Sequence, residues 1–170
     1  KLAPVECMWV PGNHDKALSY FATLHLSAWY HDCEGVTVDV SPTVRKYIHY
    51  GNNLIGYSHG KEEGKRISGL MQLEQPEAWS KTTYREFHLG DLHHEAAREE
   101  NGIIIRRISA ITGTDAWHAE KGFIGAIQKA QAFIWDKQRG NIDIINAEGN
   151  HNDMDKRHGT NMADHRETSA

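Results

Sequence analysis

Cysteine is scarce in this chain: there are two, Cys7 and Cys33, and neither belongs to a C-x-x-C pair. Two thiols cannot build a disulfide framework, which excludes the small disulfide-stapled folds. Cys7 lies in an apolar run and is expected to be a buried core thiol. Long apolar stretches are also missing, so no membrane span is expected. The opening Lys-Leu-Ala-Pro lacks the apolar region of a signal peptide. Together these absences point to a cytoplasmic setting. Charge of one sign is lacking as well: 19 Lys and Arg stand against 23 Asp and Glu, a formal net charge of -4. That balance offers no general electrostatic attraction to nucleic acid.

What remains, 39% hydrophobic and 25% charged residues over 170 positions, fits one globular domain of ordinary size. Histidine stands out, with 12 copies unevenly placed. His88, His93 and His94 crowd into seven residues, and His151, His158 and His165 lie in the C-terminal segment. Neutral imidazole is the commonest nitrogen ligand of transition metals, so a metal is worth seeking. The chain opens on Lys1 and almost directly on a strand-like run. This suggests a processed chain or a fragment of a longer protein.

Hydrophobic patterning alternates between strands and helices, the mark of an α/β fold. The run 5–10 (VECMWV) reads as a buried strand stopped by Pro11-Gly12. Apolar residues at helical spacing over 16–30 follow, with Asp15 placed to cap that helix. Strands are expected at 36–40, at 44–50 and 54–57 as a hairpin, at 84–89 and at 102–108. A late pair is expected at 130–135 and 142–145, joined at Gly140-Asn141. Helix is expected over 62–74, and the charged run 95–100 (EAAREE) reads as the exposed part of another. Trp117 and Trp135 are expected to pack in the core. Two regions follow: a domain over 1–149 and a polar, disordered tail over 150–170.

Three places share one design, a strand that ends in a turn carrying metal-ligand side chains: Asn13/His14, His59 and Asp91/His93. In α/β sheets the carboxyl edge of the strands is where ligands bind. Ligands scattered along the sequence but all at strand ends can therefore converge. His88 is expected to point with Gly90 rather than with these ligands, because alternate strand residues share a face. His94 is expected to meet phosphate or solvent.

The run Gly12-Asn13-His14-Asp15 after a strand, the lone histidine of GYSHG at His59, and Gly90-Asp91-Leu92-His93 after another strand resemble motifs of the calcineurin-like metallophosphoesterases. The run 112–118 (TGTDAWH) resembles a late segment of phage-type members. The resemblance covers roughly residues 5 to 125 and implies part of an αββα sandwich with mixed sheets. It implies two divalent metal ions (Mn, Fe, Zn or Mg) and hydrolysis of a phosphate ester by a metal-bound hydroxide. Asn13 and His59 would ligate one metal and His93 the other. His14 would stabilise the transition state or protonate the leaving oxygen. Asp91 stands where the family has histidine; a carboxylate there favours harder metals. The phage-type likeness points first to a phosphodiester of nucleic acid, in host cytoplasm.

The family's D-x-H and G-D-x-x-D motifs are absent from this sequence. Those motifs supply an Asp and a His to one metal and an Asp that bridges both. The 170 residues alone are therefore expected to lack a complete binuclear site. Two other readings stay open: a non-catalytic binding or structural module of the same fold, and a mononuclear site using Asn13, His59, Asp91 and His88. An unmatched half-domain would expose a face prone to self-association.

Overall fold

The computed structural model describes residues 3–92, 94–111 and 127–148. His93, the run 112–118 with Trp117, and the expected tail from 150 onward lie outside the described residues.

Nine strands and three α-helices form the described chain. Strand β1 (Val5–Met8) leads through a loop into α1 (Lys16–Trp29) and then β2 (Val36–Asp39). β1 and β2 pair in parallel. A hairpin of β3 (Arg45–Tyr50) and β4 (Asn53–Ser58) comes next. A 3₁₀ turn at Gly64–Arg66 leads into α2 (Ile67–Glu74), and α3 (Pro76–Lys81) leads to β5 (Tyr84–Leu89). β6 (Ala96–Glu100) and β7 (Ile103–Arg107) follow, and β8 (Lys129–Asp136) with β9 (Gly140–Glu148) closes the described chain as an antiparallel hairpin.

The central sheet has five strands in the order β3-β4-β5-β7-β6. Its middle pairs, β4 with β5 and β5 with β7, are parallel, and its edge pairs are antiparallel. The expected α/β class with mixed sheets is therefore what the chain forms. Parallel neighbours need a crossover, and α2 with α3 supplies the one between β4 and β5. The helices cover one face of that sheet. There Leu54, Phe87, Leu89, Ile103 and Ile105 pack against Ile67 and Met71. Gly56 is central to this packing. A Cβ on it would lie 2.4 Å from Phe87 Cε1, so the Phe87 ring occupies the space that any larger residue would need.

The opposite face of β5 and β7 carries charge. Glu86 and His88 are both buried there, with Glu86 Oε1 accepting from His88 Nε2 at 3.0 Å and from Arg106 Nε. The His88 ring lies among Tyr57, Phe133 and Trp135. Burial acts to raise the Glu86 pKa, but the bonds from His88 and Arg106 outweigh it and hold the carboxyl below its ordinary value of 4.5. A carboxyl depressed in the folded state adds stability above its unfolded pKa and loses it as pH falls through the folded value. Glu86→Gln is therefore expected to remove part of the stability lost below about pH 4.5. Urea unfolding at pH 7 and pH 3.5 checks this: the wild type should lose more on acidification than the variant. Equal losses would remove Glu86 from the acid response.

Several sequence expectations need correction. The run 95–100 is not helix but edge strand β6, paired antiparallel with β7. Its turn is Asn101-Gly102, both with positive φ, 53° and 75°. Two adjacent residues of that kind make a tight hairpin turn whose twist suits the strands. The expected helix over 62–74 is a 3₁₀ turn followed by a shorter helix, and Pro76 just beyond it opens α3. Proline is favoured in the first turn because its missing N–H has no helical partner there. Asp15 precedes α1 but its side chain makes no capping bond. Cys7 is partly exposed, because β1 lies in a two-stranded sheet rather than in the central core. Trp135 is half-buried against His88.

Helix α1 has the expected apolar spacing, but its apolar side chains face outward. Leu18, Phe21 and Trp29 are 76%, 66% and 73% exposed, and Thr23 is its one buried residue. Among the described residues no helix is long and apolar enough to cross a membrane.

Candidate functional site

The candidate site forms where parallel strands end together. Ser58 of β4 is in register with Leu89 of β5, so the turns that follow, at His59 and at Gly90-Asp91, leave the same edge of the sheet. The His59 carbonyl accepts backbone N–H bonds from both Gly90 (3.1 Å) and Asp91 (2.8 Å). This pair of hydrogen bonds fixes the two turns against each other and sets the Asp91 carboxylate beside the His59 ring. Gly60 follows with φ +99°, a conformation that side chains resist, and a Cβ there would lie 3.1 Å from Leu89 Cβ. The chain can turn away directly after the histidine because residue 60 is glycine.

The end of β4 is braced from the helix side. Ser58 Oγ donates to buried Glu63 at 2.5 Å, and Arg45 reaches the same carboxylate at 3.3 Å. Arg45 also forks onto Glu74, which holds the Glu74 carboxyl below its ordinary value. A second brace ties the β1–β2 sheet to the central one. Buried Lys46 on β3 donates to Asp39 Oδ2, to the Ser41 carbonyl and to Ser41 Oγ, each at 2.7 Å. Its ammonium holds the Asp39 carboxyl below the usual carboxylate range. Charge-assisted bonds of this kind are short and directional, so the loop after β1 is held relative to β4 and β5.

That loop brings in the third group. Asn13 Oδ1 lies 2.8 Å from His59 Nε2, and Asp91 Oδ1 lies 3.2 Å from the same nitrogen. Both oxygens are acceptors, so in this arrangement the Nε2 proton is shared between them. Two oxygen lone pairs thus converge on one N–H proton. Each of these two separations is also one that the ligands of a divalent cation adopt: with bonds of about 2.1 Å at right angles, neighbouring donors stand about 3.0 Å apart. The separations of 2.8 and 3.2 Å bracket that value. One imidazole with two oxygens is a mixed nitrogen and oxygen donor set that does not single out one divalent metal. The His59 and Asp91 side chains are 22% and 24% exposed, so the cluster is open to solvent.

The structure therefore gathers Asn13, His59 and Asp91 from three separate stretches of sequence. His14 is exposed in the same loop, next to Asn13. His88 is not part of the cluster; it is buried in the sheet and bonded to Glu86. His94 is exposed, its Nδ1 bonded to the Leu92 carbonyl at 2.9 Å. His93, expected to serve a second metal, lies outside the described residues. Among the described residues no group of three or more His, Cys, Asp or Glu is placed to hold a metal. The cluster has one histidine and one carboxylate, and the Asn13 carboxamide makes the third donor. Sequence reasoning missed the supporting side chains Glu63 and Lys46, whose types gave no sign that they would be buried.

No family model matches the chain, and no curated protein does. It is similar to solved structures at low identity. A double mutant of Vps29 from Entamoeba histolytica is 13% identical over 88% of this chain and 84% of that one, with a TM-score of 0.44. A single mutant of the same protein is 12% identical over 85% and 98%, with a TM-score of 0.43. A conserved uncharacterized protein from Streptococcus pneumoniae TIGR4, described as a predicted phosphoesterase, is 11% identical over 84% and 87%, with a TM-score of 0.39.

Proposed function

We propose that Asn13, His59 and Asp91 hold a divalent cation and that the chain acts on a phosphate ester there, with a phosphodiester the first substrate to try. The observation that supports this reading is the convergence of Asn13 Oδ1 and Asp91 Oδ1 on His59 Nε2, at 2.8 and 3.2 Å. When bound, such a cation supplies Lewis-acid polarisation of a phosphoryl oxygen and acidifies a water molecule. The protein's own groups do the rest. Asn13 and Asp91 would offer oxygen donors, and the His59 ring would carry its proton on Nδ1 instead of Nε2, freeing the Nε2 lone pair to ligate. Cation affinity is therefore expected to fall as the solution is acidified. His14, exposed beside Asn13, would hand a proton to the departing oxygen.

The test is hydrolysis of bis(p-nitrophenyl) phosphate with added Mn²⁺. The wild type is expected to turn over, and His14→Ala to lower kcat by about 10²- to 10⁴-fold, the range for loss of a positioned proton donor. Mn²⁺ affinity should be unchanged in that variant. No hydrolysis by the wild type, or equal turnover by His14→Ala, would sink the catalytic reading.

A second reading rests on the donor count. Three donors converge among the described residues, enough for one cation and not for a bridged pair. A mononuclear binding module would take up a single Mn²⁺ and hydrolyse nothing. Metal stoichiometry measured beside turnover separates the two.

A further inference from the structure

Helix α1 is built inside out. A surface helix turns its apolar stripe to the core and its polar side to water. In α1 the side toward the protein carries Thr23, which is buried, and the half-buried Ser19, Tyr20 and Ser27. The hydroxyls of Ser19 and Thr23 are spent within the helix. Ser19 Oγ donates to the Asp15 carbonyl at 2.9 Å and Thr23 Oγ1 to the Ser19 carbonyl at 2.8 Å. Tyr20 packs against Trp9, with ring centroids 5.4 Å apart.

The outer side is a continuous apolar stripe. At 3.6 residues per turn Leu18, Phe21, His25 and Trp29 fall within about 80° of arc, with Ala22 and Ala28 at its borders. All six are exposed, and the His25 and Trp29 rings lie 6.2 Å apart. On the usual area of an aromatic side chain, the bare parts of Phe21 and Trp29 amount to roughly 300 Å². Leu18, His25 and the edges of Leu24 and Leu26 bring the stripe to roughly 500–600 Å², the top of what a monomer leaves uncovered. The helix carries one Lys, Arg, Asp or Glu, Lys16, and the helical period puts it on the side away from the stripe.

We infer that this stripe is covered by the same stripe of a second copy of the chain, in an antiparallel helix pair. Area supports it: two stripes face to face bury about 1,000–1,200 Å² in all, the threshold of a specific interface and enough for a micromolar dimer. Charge supports it too. Helices that lie on anionic lipid carry Lys and Arg along the polar face, which α1 lacks. A charged partner would find nothing on the stripe to read, whereas two uncharged stripes meet without repulsion. The pattern is also self-complementary. A two-fold axis beside Leu24 sets Leu18 against Trp29 of the second copy, Phe21 against Ala28, and Ala22 against His25. Large side chains then meet small ones, as knobs meet holes. The opposed helix dipoles add to the pairing.

Sedimentation equilibrium of the whole chain over a range of concentrations tests this. The wild type is expected to pass from monomer to dimer in the micromolar range and to stop there. Leu18→Glu and Trp29→Lys each put a charge in the seam and should raise the dissociation constant at least about tenfold. Each charge suits its end of the helix dipole and each position is exposed, so helix content by circular dichroism should match wild type. An equal mixture of the two variants should dimerise more tightly than either by itself, because residue 18 of one copy meets residue 29 of the other. Leu73→Glu changes an equally bare leucine on α2, 77% exposed, and should leave the dimer as tight as wild type. The inference is overturned if the wild type stays monomeric, whether because another part of the same chain covers the stripe or because it sediments with phosphatidylcholine vesicles instead. It is also overturned if assembly runs past the dimer, if neither stripe variant weakens it, if Leu73→Glu weakens it as much, or if mixing restores nothing. It does not rest on the metal site, so the two can fail separately.

Discussion

His59→Ala is expected to lower Mn²⁺ affinity by at least about 100-fold, beyond the 10- to 100-fold typical for loss of an outer hydrogen-bonding partner. The imidazole is the one nitrogen donor in the cluster and the atom on which both oxygens converge. Without it, Asn13 and Asp91 lose the group that holds them at ligand spacing. The fold should survive. His59 is partly exposed, and the bonds that join the two turns use its backbone carbonyl, which alanine keeps. Calorimetric titration with Mn²⁺, beside an unfolding free energy in urea within about 1 kcal/mol of wild type, checks both parts. Asp91→Asn is the milder companion: it keeps an oxygen, removes the charge, and should cost less than His59→Ala. Equal Mn²⁺ affinity in wild type and His59→Ala would mean that any bound metal sits elsewhere.

The second large effect concerns the core that carries those strands. Gly56→Ala is expected to destabilise by about 1–3 kcal/mol, because the new methyl has to displace the buried Phe87 ring. Phe87→Ala should cost about 3–5 kcal/mol by opening a void beneath α2. The two sites share one volume, so their effects should not add. Combined with Phe87→Leu, Gly56→Ala should cost at least about 1 kcal/mol less than it does alone. Urea denaturation of the four chains measures the coupling. Strict additivity would show that Phe87 does not fill the space over Gly56.

Much of the fold was legible because its signals are local. An apolar run stopped by Pro11-Gly12, a helical period from Lys16, and the Gly51-Asn52 turn each settle into the expected element. So does the late hairpin. Strand β6 was not legible from its own composition. Ala96–Glu100 is an exposed edge with no large apolar side chain, so alternation says nothing about it. The informative signal lay just beyond, in Asn101-Gly102, a dipeptide suited to a tight hairpin turn. Pro76 shows the same ambiguity from the other side, since proline stops one helix and starts the next. In α1 the period gave the helix correctly but not which face would be covered, because that depends on neighbours far along the chain.

The cluster was legible in part for a geometric reason. Parallel strands in register deliver their following turns to one edge, so His59 and Asp91 could be expected to meet once 53–58 and 84–89 were strands. That Asn13 would reach them was suggested by its place at a strand end and by the motif resemblance, but neither fixes the contact. The contact depends on where the β1–β2 sheet docks, and the Lys46–Asp39 tether that sets this docking has no periodic signature. The Glu86–His88–Arg106 group was likewise invisible, since it joins residues from different strands across a sheet face.

We propose that a divalent cation takes the place of the proton now shared at His59 Nε2, with the ring proton on Nδ1 and with Asn13 and Asp91 as the other ligands. Pulsed electron paramagnetic resonance on Mn²⁺ added to the whole chain tests it most directly. Modulation from a single directly bound imidazole nitrogen, present in wild type and lost in His59→Ala, is the predicted result. Mn²⁺ that stays in free solution, or bound Mn²⁺ whose nitrogen signal persists in His59→Ala, would contradict it.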